Sequence, residues 1–457
     1  MQGPKLTVIG AGSYFFGKQV IRKMAQGEVM AGATLALVDT CPQVLDTMMR
    51  LASRVFDETG CGVKVIGSTD RRAVMADSDF VVLTFSKQNA HFRRIDTEIA
   101  ARHGITMCSS DTIGPGGIFR SLREIPDALN MARDTRELAP NAWLINFVNP
   151  TSVIGMALHR YAQDQRSFAL CDAQHEPYLT LNYCKAVGIL PEEAAEIPPD
   201  VCSRLDLAIG GINHCTWMIR FTYDGKDMMP AFREKLLEWV EEEKKSPGVK
   251  SKGRYNRAYS LKLFDLYGVF PTVISHTKEY VPFFQGYGVA CNDPEPIRLF
   301  DAKERGREME DAWKVTEDYA SGNLSVPQFL KEVYSDHASD IIESMWGNLG
   351  KSFYINTTNR GAVSNLPDDA FLELKCDVDM RGPRPHPAGA FPRGLTALQH
   401  QLLDTHELTA EAAVTGDRSV LRRAMLTDPI CNNIEDVDAC IEDLLAAERD
   451  ALPDYWY

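Results

Sequence analysis

Leu6-Thr7-Val8-Ile9-Gly10-Ala11-Gly12-Ser13 is the stretch that decides the architecture. A short apolar and β-branched run closed by Gly-x-Gly reads as a buried strand turning sharply into a helix. In such a turn the glycines let backbone N–H groups approach a pyrophosphate, and the helix dipole favours its negative charge. Phe15 stands where the usual pattern has its third glycine, and Gly17 follows two residues later, so the place of the loop between strand and helix carries the dinucleotide reading. Gly10, Gly12, Ser13 and Phe15 are the candidate cofactor residues. A second strand, Thr34 to Val38, ends at Asp39, which suits the ribose hydroxyls of NAD and would repel the extra phosphate of NADP.

Outward from this unit the pattern repeats. Tyr14 to Met30 has helical spacing, and Phe80 to Phe85 is a third buried run. Trp143 to Phe147 and Ser167 to Leu170 follow, preceded by the helical stretches Gly117 to Ala139 and Thr151 to Gln163. Such alternation predicts an α/β fold with an N-terminal doubly wound Rossmann-type sheet over residues 1–195. Pro191 to Pro199 interrupts both periodicities, and Leu205 to Ile209 begins a new strand. Residues 196–457 are expected to form an α+β substrate and oligomerisation domain, with charged amphipathic helices at Pro230 to Lys245 and Lys303 to Ala320. Gly382 to Gly394, rich in Pro and Gly, reads as a loop crossing or oligomer arm, and His400 to Thr415 and Asp436 to Arg449 as scaffold helices.

The bulk composition narrows the function class. A chain of 457 residues with 44% apolar content has room for two domains. Its net charge of -14 argues against nucleic acid and anionic lipid as partners and leaves a small molecule. No apolar run approaches the roughly 20 residues that cross a bilayer, and the start of the chain lacks a leader pattern, so a cytoplasmic location is expected. The eleven cysteines show no CxxC spacing and read as reduced thiols, with Cys171 set apart.

Cys171 and His214 each follow a strand on the edge where doubly wound sheets place ligands. A thiolate and an imidazole suit Mn, Fe, Co, Ni or Zn, and Asp172 and His175 are adjacent candidates to complete or replace a ligand, or to cap the helix that follows. Asp111, before Gly114-Pro115-Gly116-Gly117, is a carboxylate on a flexible segment opening a helix, suited to general acid work or to a plain N-cap. Arg93, Arg94 and Asp96 offer hydrogen-bonding groups for hydroxyls, and Arg94, Asn149 and Asn213 are the candidate substrate residues.

Together these motifs resemble glycoside hydrolase family 4, the NAD- and metal-dependent glycosidases. The likeness runs through Gly10-Ala11-Gly12-Ser13, Asp111, Asn149-Pro150, Cys171, Gly211 to Trp217, Asn359 to Pro367 and Leu408 to Asp417. Leu263 to Gly268 and His276 to Pro282 place it nearest the branch acting on α-galactosides and α-galacturonides. The resemblance implies NAD, a divalent metal with manganese first, a small-molecule α-glycoside as partner, and a homodimer or homotetramer. It implies cleavage by transient oxidation at C3, deprotonation at C2, elimination with Asp111 as acid, and water addition. Where relatives place the proton-abstracting Tyr or Asp, this chain has Ile274 or Ser275, leaving His276 and Tyr280 as the nearest titratable groups. The Asp172-Ala173-Gln174-His175 run after the metal cysteine also departs from the family, and is similar to the sister NAD-dependent sulfoquinovosidases.

Lys250, Lys252, Arg254 and Arg257 form a basic cluster in an acidic chain, pointing to a sugar with an anionic C6 group, a sulfoquinovoside or a uronide. Neutral α-galactosidase or α-glucosidase activity is the alternative within the same mechanism. A lactate- or malate-type dehydrogenase, which would accumulate NADH, and a non-catalytic dinucleotide sensor are the alternatives outside it.

Overall fold

The computed structural model describes residues 3–14, 16–105, 107, 112–245, 256–284, 300–431 and 433–457. Its first six strands are β1 (Lys5–Ile9), β2 (Thr34–Val38), β3 (Lys64–Ser68), β4 (Phe80–Leu83), β5 (Trp143–Asn146) and β6 (Ser167–Ala169). They are parallel and lie in the order β3-β2-β1-β4-β5-β6, the dinucleotide-binding topology. Every residue of β4 and β5 is buried, because helices cover both faces and only apolar runs satisfy such a strand.

β3 was not legible in the sequence. It is the edge strand, largely exposed, and its Lys64-Val65-Ile66-Gly67-Ser68 lacks the apolar run that marked its neighbours. The helix expected over Tyr14 to Met30 is shorter, Gly17–Gln26, because Gly27 takes an extended conformation and a 3-10 turn Glu28–Met30 follows. The helix expected from Gly117 begins at Gly114, whose N–H donates to Asp428 Oδ2 at 2.8 Å from the far end of the chain.

The second half continues this same sheet. β7 (Leu205–Ile212) and β8 (Cys215–Tyr223) form a hairpin, flanked by the short β9 (Lys226–Asp227) and β10 (Phe270–Pro271). β11 (Ser352–Thr358) runs antiparallel to β12 (Phe371–Asp379), which also pairs with β13 (Gly382–Pro385). β11 meets β6 through Asn356 and Ala169, and β12 meets β7 through Glu373 and Gly211, so one mixed sheet runs from β3 to β10. The Pro- and Gly-rich stretch read as a loop crossing thus includes a strand, β13. Helix Arg393–Thr415 packs on Gly114–Leu138 and on Thr151–Tyr161, tying the C-terminal scaffold to the first half. The carboxyl ends of the parallel strands and the β7–β8 tip share one edge, and that edge carries the site.

Candidate active site

β1 delivers Gly10 to this edge at φ +96, where a Cβ would stand 2.7 Å from Phe85 N, so no other residue fits without moving backbone. Gly17, at the start of the following helix, packs so tightly that a Cβ would lie 2.4 Å from Ala11 O. It serves the helix-to-loop packing that the missing third glycine serves elsewhere. Asp39 Oδ2 accepts from Gly12 N at 3.0 Å and its Oδ1 from Cys41 N at 3.0 Å, so this carboxylate also holds the loop. Thr84 Oγ1 donates to Ser13 Oγ at 2.6 Å. Helix Gly17–Gln26 has no side-chain cap, and beside the loop a cavity of about 300 Å³ is lined by Gly12, Ser13, Lys18, Met48 and Trp313. Burial holds the Lys18 ammonium below its usual pKa. An uncapped helix start, a partly buried cation and apolar walls fit the phosphate and adenine ends of a dinucleotide. Phe15 lies outside the described residues.

β1 and β6 are separated by β4 and β5, so Cys171, two residues beyond β6, stands about 14 Å along the edge from the glycine loop. The β7–β8 hairpin is closed by Asn213-His214, with His214 at φ +68. That turn sets His214 Nε2 3.2 Å from Cys171 Sγ, with both side chains buried. His214 Nδ1 pairs with Thr112 Oγ1 at 3.1 Å; a proton on Nδ1 donated there leaves the Nε2 lone pair facing the sulfur. Burial, and then the charge of Glu373, push the Cys171 thiol well above its usual range, so the thiolate would require a cation. Two ligands at right angles on one ion, with bonds of about 2.3 and about 2.1 Å, would be about 3.1 Å apart, close to the spacing seen. The buried Asn213 Oδ1 has no hydrogen-bond partner among the described residues. The pair therefore fits a divalent metal. Among the described residues no cluster of three or more His, Cys, Asp or Glu side chains forms a fuller cage.

Around the pair, the His276 ring stacks on His214 at 4.5 Å and 12°, and its Nδ1 pairs with Glu279 Oε1 at 2.9 Å. Tyr280 is fully buried, its hydroxyl donating to Asn213 O at 3.3 Å. Behind Cys171, His337 Nδ1 donates to the Cys171 carbonyl at 3.1 Å, and His175 stacks on His337 while its Nε2 meets Asp340 Oδ2 at 2.9 Å. His175 is thus committed to an ion pair behind the candidate metal position. The Asp172 carboxyl is pushed up by burial.

Two family models cover this architecture: "Family 4 glycosyl hydrolase" matches residues 5–179 and its C-terminal domain matches residues 209–431. An alpha-galactosidase of Bacillus subtilis (strain 168) is 30% identical over 99% of this chain and 99% of its own length. The chain belongs to family 4 of the glycosyl hydrolases. An alpha-galacturonidase of the same organism is 27% identical over 96% of each chain. Among solved structures, a 6-phospho-alpha-glucosidase from gut microorganisms in complex with NAD and Mn2+ shares the fold, with a TM-score of 0.78 and 19% identity over 99% of both chains. Membership in family 4 sets aside the dehydrogenase and sensor readings.

In this family 4 chain the fold brings Cys171, His214, Asn213, His276 and Tyr280 together, with Thr112 beside them. Asp111 lies outside the described residues, as do Lys250, Lys252 and Arg254. Asn149 follows β5, its Oδ1 accepting from Thr151 Oγ1 at 2.8 Å. Arg94 points outward and pairs with Glu98 one helical turn on, at 2.8 Å; Arg93 is the inward member, its guanidinium 4.0 Å over Phe300. Asp96 is fully buried and paired with Arg123 at 3.0 Å, a structural ion pair and no ligand for hydroxyls. Arg257 is taken by Glu243 at 3.1 Å and lies over Trp239.

Glu373 was missed. It is fully buried on β12, where its Oε2 accepts from Asn213 Nδ2 at 3.2 Å and Gln174 Nε2 at 3.0 Å, fixing the amide beside His214. A lone acid between leucines in Phe371-Leu372-Glu373-Leu374 was the available signal.

Proposed function

We propose that this protein is an NAD-dependent glycosidase of α-glycosides that carries a divalent metal, manganese first. The observation that carries the reading is the Cys171 Sγ to His214 Nε2 approach of 3.2 Å on the same sheet edge as the Gly10 loop. Gly10, Gly12, Ser13, Phe15 and Asp39 would hold NAD, and Cys171 and His214 the metal. Bound there, NAD supplies a reversible hydride acceptor and the metal a positive charge for sugar oxygens.

The remaining roles belong to the chain itself. Thr112 holds the His214 ring, and Glu373 with Gln174 holds the Asn213 amide against the sugar's hydroxyls. Of the two candidate bases, His276 is better placed than Tyr280. Its side chain is 27% exposed and its Nδ1 is anchored by Glu279, which leaves Nε2 to take a proton at C2; the Tyr280 hydroxyl is sealed against the Asn213 carbonyl. Asp111 is the proposed donor to the departing aglycone, and Arg94 and Asn149 remain proposed substrate contacts.

For the sugar we favour a C6 anion, uronide or sulfoquinovoside, supported by the inward Arg93 and by the galacturonidase relative. The 30% identity to an alpha-galactosidase favours the neutral alternative. The proposal includes residues 1–195 as the nucleotide unit, 196–457 as the substrate and oligomer unit, and a cytoplasmic homodimer or homotetramer. The charge of -14, and the lack among the described residues of a helix able to cross a membrane, accord with a small-molecule partner. Nitrophenyl α-glycosides with hydroxyl, carboxylate, sulfonate or phosphate at C6, assayed with and without NAD, test the whole reading. Cleavage should require NAD without net NADH, and product made in heavy water should carry deuterium at C2; NADH accumulating with substrate loss would refute it.

A further inference from the structure

At the opposite edge of the sheet from Cys171, by the amino ends of β5 and β6, a cavity of about 340 Å³ opens between Trp143, Thr358 and the turn into β13. That turn is fitted to the indole. Trp143 Nε1 donates to Met380 O at 3.2 Å, and Gly382, at φ +109, lies so close that a Cβ would stand 2.6 Å from the ring. The fit projects Arg381 and Arg384 at the cavity, where they share a single carboxylate, Asp379, at 2.6 and 3.1 Å.

Arg360 faces them from the loop after β11. It sits at φ +49, a strained backbone for an arginine, tied by its N–H to Asp368 O at 2.8 Å. Its guanidinium bonds Thr358 Oγ1 at 3.1 Å and has no carboxylate partner among the described residues. Asp379 answers Arg381 and Arg384, and Asp377 stands across the strand pair from Arg384, so Arg360 is the lining arginine with no carboxylate partner among the described residues, in a chain whose net charge is -14. His159, also in the lining, is held below its usual pKa by burial first and then by Arg160 and Arg360, with Glu407 and Asp369 acting the other way.

We infer that this cavity binds a small oxyanion carrying two or more negative charges. Guanidinium forks pair with phosphate or carboxylate oxygens two at a time, and Arg360 lies opposite Arg381 and Arg384 so that such a group would be gripped from both sides. A cavity of this size admits a phosphate ester or a compact di- or tricarboxylate. The site is separate from the catalytic pair: Ser167 lines it and Cys171 is four residues on, about 13 Å along an extended chain.

Calorimetric titration of the full-length protein with inorganic phosphate and with citrate, at constant ionic strength, tests this. Arg360→Asn removes the charge while keeping a residue that tolerates the left-handed backbone, and Arg381→Gln alters an exposed side chain as a second probe. Saturable binding to wild type is expected, weakened about tenfold in Arg360→Asn and also in Arg381→Gln, with NAD affinity unchanged. Stronger response to phosphate or to citrate identifies the ligand's chemistry. Absent binding, or equal weak binding in wild type and both variants, would overturn the proposal. So would self-association that Arg360→Asn abolishes without any anion binding, which would make this face a contact between copies.

Discussion

Asp336→Asn should make the protein relatively more stable as pH rises. Asp336 is fully buried at the start of helix His337–Gly347, accepting from Ser339 N at 2.9 Å and pairing with Ser339 Oγ at 2.6 Å. Burial, aided by the charges of Asp172 and Asp340, pushes its carboxyl from 3.8 up to about 7. A folded-state pKa raised above the unfolded one means that the fold holds a proton the unfolded chain releases. The stability tied to that proton is full below about pH 4 and is lost as pH rises through about 7. Three units at about 1.4 kcal/mol each set an upper limit of about 4 kcal/mol, and between about 1 and about 4 is expected once relaxation of the site is allowed for. Asparagine keeps the capping acceptor and never ionises. Urea unfolding of wild type and variant, with chelator and without NAD, should give equal stabilities near pH 4, a gap favouring the variant that widens to about pH 7, and a plateau above. Groups that titrate alike in both proteins cancel in the difference. A gap independent of pH, or one favouring wild type as pH rises, would refute the reasoning.

Cys171→Ser and His214→Ala should each lower bound manganese at equilibrium dialysis while circular dichroism stays unchanged; unaltered stoichiometry in both would remove the metal assignment. Gly17→Ala should weaken NAD binding at least about tenfold, because its Cβ would press on the Ala11 carbonyl and displace the loop; an unchanged dissociation constant would sink that reading. Arg123 pairs with both Asp96 and Glu448 in a buried triad, so Arg123→Met should cost about 3–5 kcal/mol in urea unfolding by leaving two carboxylates without their cation. A loss below about 1 kcal/mol would show that the triad reorganises.

Local order along the chain was enough to announce the parallel half of the sheet, because strands buried on both faces must be continuous apolar runs and β1, β2, β4 and β5 have no other reading. It also announced the glycine loop, and singled out Cys171 and His214 by their places after strands. Apart from Cys171 and His214, partners distant in the chain were not paired from the sequence. Arg94 and Arg93 are neighbours of equal chemistry, and only the packing of their helix turns one to Glu98 and the other inward over Phe300. Asp96 looked like a hydroxyl ligand until Arg123 and Glu448, far away in the chain, were folded against it. Glu373 reaches Asn213 and Gln174 because β12 lies beside β7, a pairing no local periodicity encodes. The sequence by itself determined the buried parallel strands, the tight glycine turn after the first of them and which residue types can bind metal, since these follow from backbone sterics and short-range burial, while the exposed β3 and the antiparallel β11, β12 and β13 left no such signal. Tertiary structure alone decided which of those side chains meet, because a 3.2 Å approach between residues 43 apart depends on the register of the whole sheet.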